Sequence, residues 1–435
     1  MMSLVNPINQ DQQSKMKELH EVVNEGCFHK AGRPVYAQVN LSAITHNIQV
    51  LKNRCKNKHI GVIAVIKSAG YGHGSVTLGN HLKKAGIERL AVATVDEGIL
   101  LRHHGVGGPI HVFGNCQSYE MKPCLEYSLI PTVCHVEPIR TMGYLLRGNN
   151  EKDEPNEKIP KFSNDKCSCL PSGAVHIKVD TGMSRNGCQP SELEALVKTC
   201  DESAVPLEGI MTHLADTWDN PDFTARQMEC FYSAVQPFRD RPSLHLHTSA
   251  SGAVLKGYGT ELDFIRPGIS IYGLPPSDAD EEFVSAGLQP SLSVRAQATL
   301  IKKCPPGTKV GYGCTYTCKE DEWIATIPFG YGDGYSRNLS NKGVVVRDAT
   351  GEKCAVVGRV SMDAITIRLP SSPLPEESFT IISADYDTDT SACGIARKLN
   401  TISYEIMTSL STRIPRMYTS QGQEPVIHAL QPGIY

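Results

Sequence analysis

No stretch of this chain approaches the run of about 20 apolar residues that a membrane-crossing helix requires. The opening residues, MMSLVNPINQDQQSKMKELHEVV, lack the apolar segment of a secretory signal. They also carry Asp11, Glu18 and Glu21 with no Arg before Arg33, against the acid-poor composition of a transit peptide. A cytosolic location is the expectation. Net charge is small: 43 Lys and Arg against 46 Asp and Glu leave −3. No broad field of either sign therefore points to nucleic acid or an anionic membrane surface. The 15 cysteines contain no CxxC pair; the closest spacings are Cys167-x-Cys169 and Cys314-x3-Cys318. With no export signal, this odd and scattered set reads as free thiols, and no zinc or other metal site is expected. No Gly-rich run leads into Gly-Lys-Ser/Thr, which excludes a P-loop.

What is present is a chain of 435 residues, 40% hydrophobic and 20% charged. That is enough for two domains, or for a large barrel with a smaller partner. Residues 1–33 form a polar extension with a short helical stripe at Met16, Leu19, Val22 and Val23. From Tyr36 onward a short apolar run, a turn and a helical stretch alternate. The first run, Tyr36–Leu41, leads into a helix with Ser42 as its N-cap and Ile44, Ile48 and Leu51 on one face. Eight further runs follow: Gly61–Ile66, Leu90–Val95, Ile110–Phe113, Leu129–Val133, Ala174–Val179, Leu207–Thr212, Leu244–His247 and Ile269–Tyr272. Eight strands alternating with helices suggest a (β/α)8 barrel over 34–285, although an open doubly wound sheet alternates too. Within it, Arg147–Gly173 is polar, charged and Pro-bearing, and reads as a long exposed insertion. After Ser285 the runs shorten: Ser291–Leu300, Trp323–Pro328, Gly343–Val346, Cys354–Val357, Ala364–Leu369 and Phe379–Ile382. A mostly β domain over 286–435 is expected, with a helix near Ala392–Leu399 and another within Asn400–Leu410.

Lys67 ends the apolar run Gly61–Ile66 and precedes Ser-Ala-Gly-Tyr-Gly-His-Gly. In a barrel this sets it at the C-terminal mouth, where catalytic groups gather. Partial burial lowers the pKa of such a lysine and frees its amine as a nucleophile. Gly70, Gly72 and Gly74 allow close approach of backbone to a ligand. By itself a strand-end lysine is more often a solvated surface residue.

The block VIAVIKSAGYGHG resembles the cofactor-lysine motif of the alanine racemases, usually AVVKANAYGHG. HIKVDTGMSRNG, DFIRPGISIYG, VGYGCTYT, IPFGYGDGYSR, VGRVSMDAITI and TISYEIMTSLSTRIPR are similar to further blocks of that family, in the family's order, from about Tyr36 to Tyr418. The resemblance implies an eight-stranded α/β barrel followed by a β domain, pyridoxal phosphate as cofactor, and inversion of alanine by a two-base mechanism. It implies that Lys67 carries the cofactor and that Tyr312 is the second acid/base, reaching in from the other subunit of a homodimer. Arg266 would face the pyridine nitrogen. Tyr71, Ser251, Tyr404 and the amides of Gly268 and Ile269 would hold the phosphate. His213 and His247 would hydrogen-bond around Arg266 and the tyrosine. Arg185, with the Met362 amide, would bind the substrate carboxylate, and Tyr331 with Tyr404 would narrow the entrance. Lys178 matches a lysine that is carbamylated in some members, where the carbamate orients this arginine. Departures exist: Ala69-Gly70 replaces Asn/Asp-Ala, Ala250 stands where Asn is frequent, and Cys314 neighbours Tyr312. The alternatives are a racemase that also takes serine, a noncatalytic cofactor-binding barrel and a barrel decarboxylase of basic amino acids. Tyr312 and the β domain argue against the second, and the HIKVDTGM and GRVSMD blocks against the third.

Overall fold

The computed structural model describes residues 32–148, 173–277, 281–375, 377–420 and 426–428; the polar extension and most of the 147–173 insertion lie outside them. The chain divides into two compact units, one of residues 43–289 and one of residues 1–42 with 290–435.

Strand β1 is Val35–Asn40. The first unit then contains β2 (Gly61–Val65), β3 (Arg89–Val92), β4 (Ile110–Asn115), β5 (Leu129–Val133), β6 (Val175–Lys178), β7 (Leu207–Met211), β8 (His245–His247) and β9 (Phe264–Ile265). They form one parallel sheet in the order β8-β7-β6-β5-β4-β3-β2-β9. The ends meet through the Ala250–Arg266 bridge and through Arg266 N–H donating to Ser249 O at 2.7 Å, so the sheet is a nearly closed barrel. β5 and β7 are buried along their whole length, as strands covered on both faces must be.

The eighth strand is not the run expected at Ile269–Tyr272, which forms a 3-10 turn instead. Strand pairing falls to Phe264–Ile265, because Gly61 and Val62 of β2 align with these residues and Pro267 has no amide to extend the ladder. The Leu90–Val95 run also divides: Val95 begins a helix, Val95–His103, capped by Thr94. The helix after β1 starts at Leu41, which puts Ser42 inside its first turn; Ile44, Ile48 and Leu51 are buried on it.

The second unit holds β10 (Leu292–Gln297), β11 (Leu300–Cys304), β12 (Lys309–Val310), β13 (Tyr316–Thr317), β14 (Glu322–Ile327), β15 (Val344–Arg347), β16 (Lys353–Val356), β17 (Ile365–Leu369), β18 (Ser378–Ile382), β19 (Arg416–Thr419) and β20 (Val426–His428). The expected run Ser291–Leu300 thus splits into two strands. Its large sheet runs β11-β14-β17-β16-β15-β18-β10-β1-β19-β20. β1 belongs here and not with the barrel that a boundary at residue 34 would assign it to: it pairs antiparallel with β10 and parallel with β19. The helices are Ala392–Leu399 and Ser403–Thr408. Among the described residues every cysteine is a free thiol, and no helix is long and apolar enough to cross a membrane.

One buried cation ties the second unit together. Arg347, at the end of β15, is 1% exposed. It donates through Nε to Glu377 at 2.9 Å and through Nη1 to Glu352 at 2.9 Å and Ser371 Oγ at 2.6 Å; Nη2 bonds Glu377 and the Ser372 carbonyl. Removing one member of a buried ion pair strands the others without a counter-charge. Arg347→Ala is therefore expected to cost roughly 3–5 kcal/mol of stability, read as a lower urea midpoint at unchanged m-value.

Candidate active site

Each barrel strand delivers its side chains alternately inward and outward, and the C-terminal ends of β2, β6, β7 and β8 carry most of the expected groups. Lys67 follows β2 and Ile66. After it, Ser68, Ala69, Gly70 and Tyr71 all take positive φ, at 52°, 52°, 64° and 51°. This left-handed turn leads to Tyr71, which is buried against Tyr272 with ring centroids 5.0 Å apart. Burial lowers the Lys67 pKa, reinforced by the positive charge of Arg185.

Ser251, Gly268 and Ile269 come together after β8 and β9. The Ser251 hydroxyl accepts from Gly268 N–H at 3.0 Å and from Ser270 N–H at 3.3 Å. A Cβ added at Gly268 would lie 2.6 Å from the Tyr71 hydroxyl, so the absence of a side chain keeps this cradle open. Hydroxyls and amides brought together in this way form a donor set suited to a phosphate dianion.

Arg266 is 3% exposed. Its Nη2 donates to Thr212 O at 2.7 Å and Thr248 O at 3.0 Å, with His213 Nδ1 at 3.5 Å. Burial pulls its pKa down to about 9, which still leaves it charged at neutral pH. Its Nη1 donates to His247 Nδ1 at 2.9 Å. Because a guanidinium only donates, this contact assigns the tautomers beyond it. Neutral His247 carries its proton on Nε2 and donates to His176 Nδ1 at 3.0 Å. His176 then donates from Nε2 to Glu208 Oε2 at 3.0 Å, and Arg89 holds the other carboxylate oxygen at 2.6 Å. Gly209 makes room for this line: a Cβ there would sit 2.6 Å from the His176 ring. Burial alone would raise the Glu208 pKa, but the bond from His176 together with the charge of Arg89 holds it well below the usual carboxylate range.

His176, Glu208 and Arg89 escaped sequence reasoning. Their one available signal was a charged or ionisable residue inside an apolar run, since such groups are buried almost solely with partners. His111, His176 and Glu208 bring donor atoms within 4.8 Å of one another, as a metal ligand set would. The Arg89 guanidinium, at 2.6 Å from Glu208 and 3.3 Å from His111 Nε2, already fills a cation's place there.

Lys178, buried on β6, has its pKa lowered to about 8 by burial and by Arg185 and Arg266. His213 is held neutral by burial and by the charges of Arg266, Lys178, Arg185 and Lys67. Four cations thus act on one imidazole at this end of the barrel, an arrangement that favours anionic ligands.

The remaining residues lie in the second unit. Tyr312 is 73% exposed in a 3-10 turn, and lines a cavity of about 380 Å³ with Gly311, Arg359, Ser361 and Ala364. Tyr331 and Met362 are brought together: Tyr331 N–H donates to Ser361 O at 3.0 Å and Gly332 N–H to Met362 O at 2.8 Å. Beneath them Asp333, fully buried, pairs with Arg413 at 2.8 Å and Arg33 at 3.3 Å. Tyr404 is half-buried on the helix Ser403–Thr408.

The buried imidazoles make the barrel acid-sensitive. Burial first, then neighbouring positive charge, lowers the pKa of His111 and His247 well below 6.5. The unfolded chain therefore binds more protons than the folded one below that pH. Their contribution to stability is complete above pH 6.5 and is lost as the pH falls. Stability is expected to fall progressively as the pH drops from 8 through 6.5 to 5.5, measured by urea unfolding followed by tryptophan and far-ultraviolet signals.

Comparison with known proteins agrees with this arrangement. A family model described as alanine racemase, N-terminal domain, matches residues 39–276, and one described as alanine racemase, C-terminal domain, matches 291–418. The chain is 34% identical over 397 residues to the alanine racemase of Halothermothrix orenii, covering 89% of this chain and 98% of that one. It is 34% identical to alanine racemase 2 of Bacillus subtilis, covering 91% and 97%. Among solved structures it is similar to the alanine racemase of Bacillus anthracis with bound L-Ala-P, at a TM-score of 0.78 and 31% identity, covering 91% and 97%. It is also similar to that of Bartonella henselae with covalently bound pyridoxal phosphate, at a TM-score of 0.73 and 26% identity, covering 88% and 99%.

Proposed function

Since this chain belongs to the alanine racemase family and interconverts L- and D-alanine with pyridoxal phosphate, we propose that Lys67 and Tyr312 are its two bases. The observation that carries this reading is the Lys67 amine, half-buried with a lowered pKa beside a phosphate-suited cradle. Lys67 holds the cofactor, and Tyr71, Ser251, Gly268, Ile269 and Tyr404 receive its phosphate. When bound, the cofactor draws electron density from the substrate Cα–H bond and makes that proton removable.

The rest of the work belongs to side chains. Inversion requires a proton to leave one face of Cα and another to arrive on the opposite face. Lys67 Nζ serves one face and Tyr312 Oη the other, exchanging the roles of acid and base with the direction of reaction. Arg185, whose guanidinium suits a carboxylate, orients the substrate together with the Met362 amide. The neutral amine fraction of Lys178, enlarged as its pKa is lowered to about 8, is what uptake of carbon dioxide as a carbamate requires. Arg266, charged and able only to donate, leaves the pyridine nitrogen unprotonated, which limits side reactions. Tyr331 and Tyr404 narrow the entrance, so alanine is preferred to serine. A hydroxyl's worth of difference gives only about a hundredfold discrimination in a small apolar pocket. Tyr312 is donated by the partner subunit of a homodimer, and the protein works in the cytosol.

The cofactor assignment is tested by borohydride reduction of the loaded enzyme and peptide mapping. The fixed cofactor should appear on the peptide containing Lys67; its appearance elsewhere would refute the assignment.

The two-base reading is tested by Tyr312→Phe, which keeps the ring. Racemisation should slow by about 100-fold or more in both directions. Solvent exchange of the α-proton should survive better for the enantiomer served by Lys67. Mixing Lys67→Ala with Tyr312→Phe should restore activity on subunit exchange, since one site of a mixed dimer carries both defects and the other none. Mixed dimers without recovered activity would mean that Tyr312 acts within its own chain or has no part in the reaction.

A further inference from the structure

We propose that Glu97 is a positioning residue whose carboxylate holds the left-handed turn after Lys67, and so aims both Lys67 and Tyr71 at the cofactor. The proposal rests on the reading that Lys67 carries that cofactor.

The turn needs an external tie. Four consecutive residues with φ between 51° and 64° make a full left-handed turn, and only Gly70 among them lacks a Cβ. L-residues avoid this region because Cβ crowds the following carbonyl. Several bonds close the turn from within: Gly70 N–H to Ile66 O at 2.9 Å, Gly72 N–H to Ser68 O at 3.1 Å, and Gly74 N–H to Ala69 O at 2.7 Å. The amide of Ser68, the first left-handed residue, is bound from outside. It donates to Glu97 Oε1 at 2.5 Å.

Glu97 is anchored independently of that contact. It is the third residue of the helix Val95–His103, and its amide donates to the Thr94 hydroxyl at 3.3 Å. Its Oε2 accepts from Ala93 N–H at 2.7 Å and Thr94 N–H at 3.3 Å. One oxygen is therefore fixed to the start of the helix while the other reaches the turn. A glutamine has a single acceptor oxygen and cannot fill both places. An aspartate keeps both oxygens but is one methylene short. The negative charge also acts on the Lys67 amine, opposing the lowering of its pKa by burial and by Arg185.

Three measurements test this on the full chain. The first is hydrogen–deuterium exchange of the cofactor-free protein; the second is a pyridoxal phosphate titration followed by absorbance; the third is the split between kcat and KM at saturating cofactor. In Glu97→Gln, exchange across 68–74 should rise about tenfold, the size of effect expected when one bond from an amide to a charged acceptor is lost, with the strands of the barrel unchanged. Cofactor affinity should fall by a similar factor, and kcat should fall with little change in KM. Glu97→Asp should not restore any of the three, and it serves as the folded variant if the glutamine form is insoluble. Thr94→Ala weakens the helix cap but leaves the Ser68 contact, and should behave as the parent chain does. Parent-like exchange and cofactor affinity in both Glu97 variants would overturn the proposal. So would Thr94→Ala reproducing the Glu97→Gln pattern, because Glu97 would then act only as a cap. Borohydride labelling away from Lys67 would sink the underlying reading, while the exchange result on cofactor-free protein would still report on the tie itself.

Discussion

A guanidinium inside a barrel must be surrounded by acceptors, because an uncompensated buried charge is among the most costly things a fold can contain. Arg266 stands immediately after β9, at the bridge that closes the sheet on β8. Its backbone completes the barrel, and its side chain then has nowhere to go but inward. Thr212 and Thr248 offer carbonyls, and His247 offers a ring nitrogen. Accepting that bond commits His247 to one tautomer and so directs His176 to donate from Nε2, a proton that the Glu208 carboxylate accepts while Arg89 pairs its other oxygen. A single closing residue thus dictates the protonation of a line of groups on β3, β6, β7 and β8.

The same economy of charge shapes the barrel mouth. Lys67, Lys178, Arg185 and Arg266 all act on His213, and burial, reinforced by the charge of the arginines, lowers the pKa of the two lysines. In the absence of anions such a cluster is unfavourable; a phosphate and a carboxylate relieve it. Stability of the barrel and affinity for its ligands are therefore in tension, as is general where a functional site is built from like charges. The left-handed turn at Ser68–Tyr71 is a second local cost, accepted where the chain must turn sharply from a strand end to present a lysine and a tyrosine together.

The second unit uses a different device. Its sheet takes in β1, which precedes the barrel in the chain, between β10 and β19. Composition could not reveal this, because β1 reads like any short apolar run and its partners lie more than 200 residues away. The exposed Tyr331 and Met362 sit in that unit on loops held by buried charge, Asp333 between two arginines, while the exposed Tyr312 lies on a separate turn beside Arg359 and Ser361.

Much was legible in the sequence because it is written in local order. Alternation of apolar runs and helices gave an α/β first unit without deciding whether its sheet closes, and the ordered motif blocks named the family and with it the barrel. The same blocks single out Lys67, Tyr312, Arg266, Ser251 and Gly268 as the candidate site residues. Periodicity failed where two local solutions compete. Ile269–Tyr272 is apolar enough for a strand, yet Pro267 interrupts the ladder and register gives the pairing to Phe264–Ile265. Beyond the contact of Arg266 with His247, which the resemblance implies, the line from Arg266 to Arg89 was not legible. Its members are scattered from β3 to the residue after β9, and their meaning resides in which nitrogen faces which oxygen. Residue types and spacing along the chain determine which chemistry is available. Only closure of the barrel decides which protons those residues hold, because hydrogen-bond direction and burial exist only once distant strands are side by side.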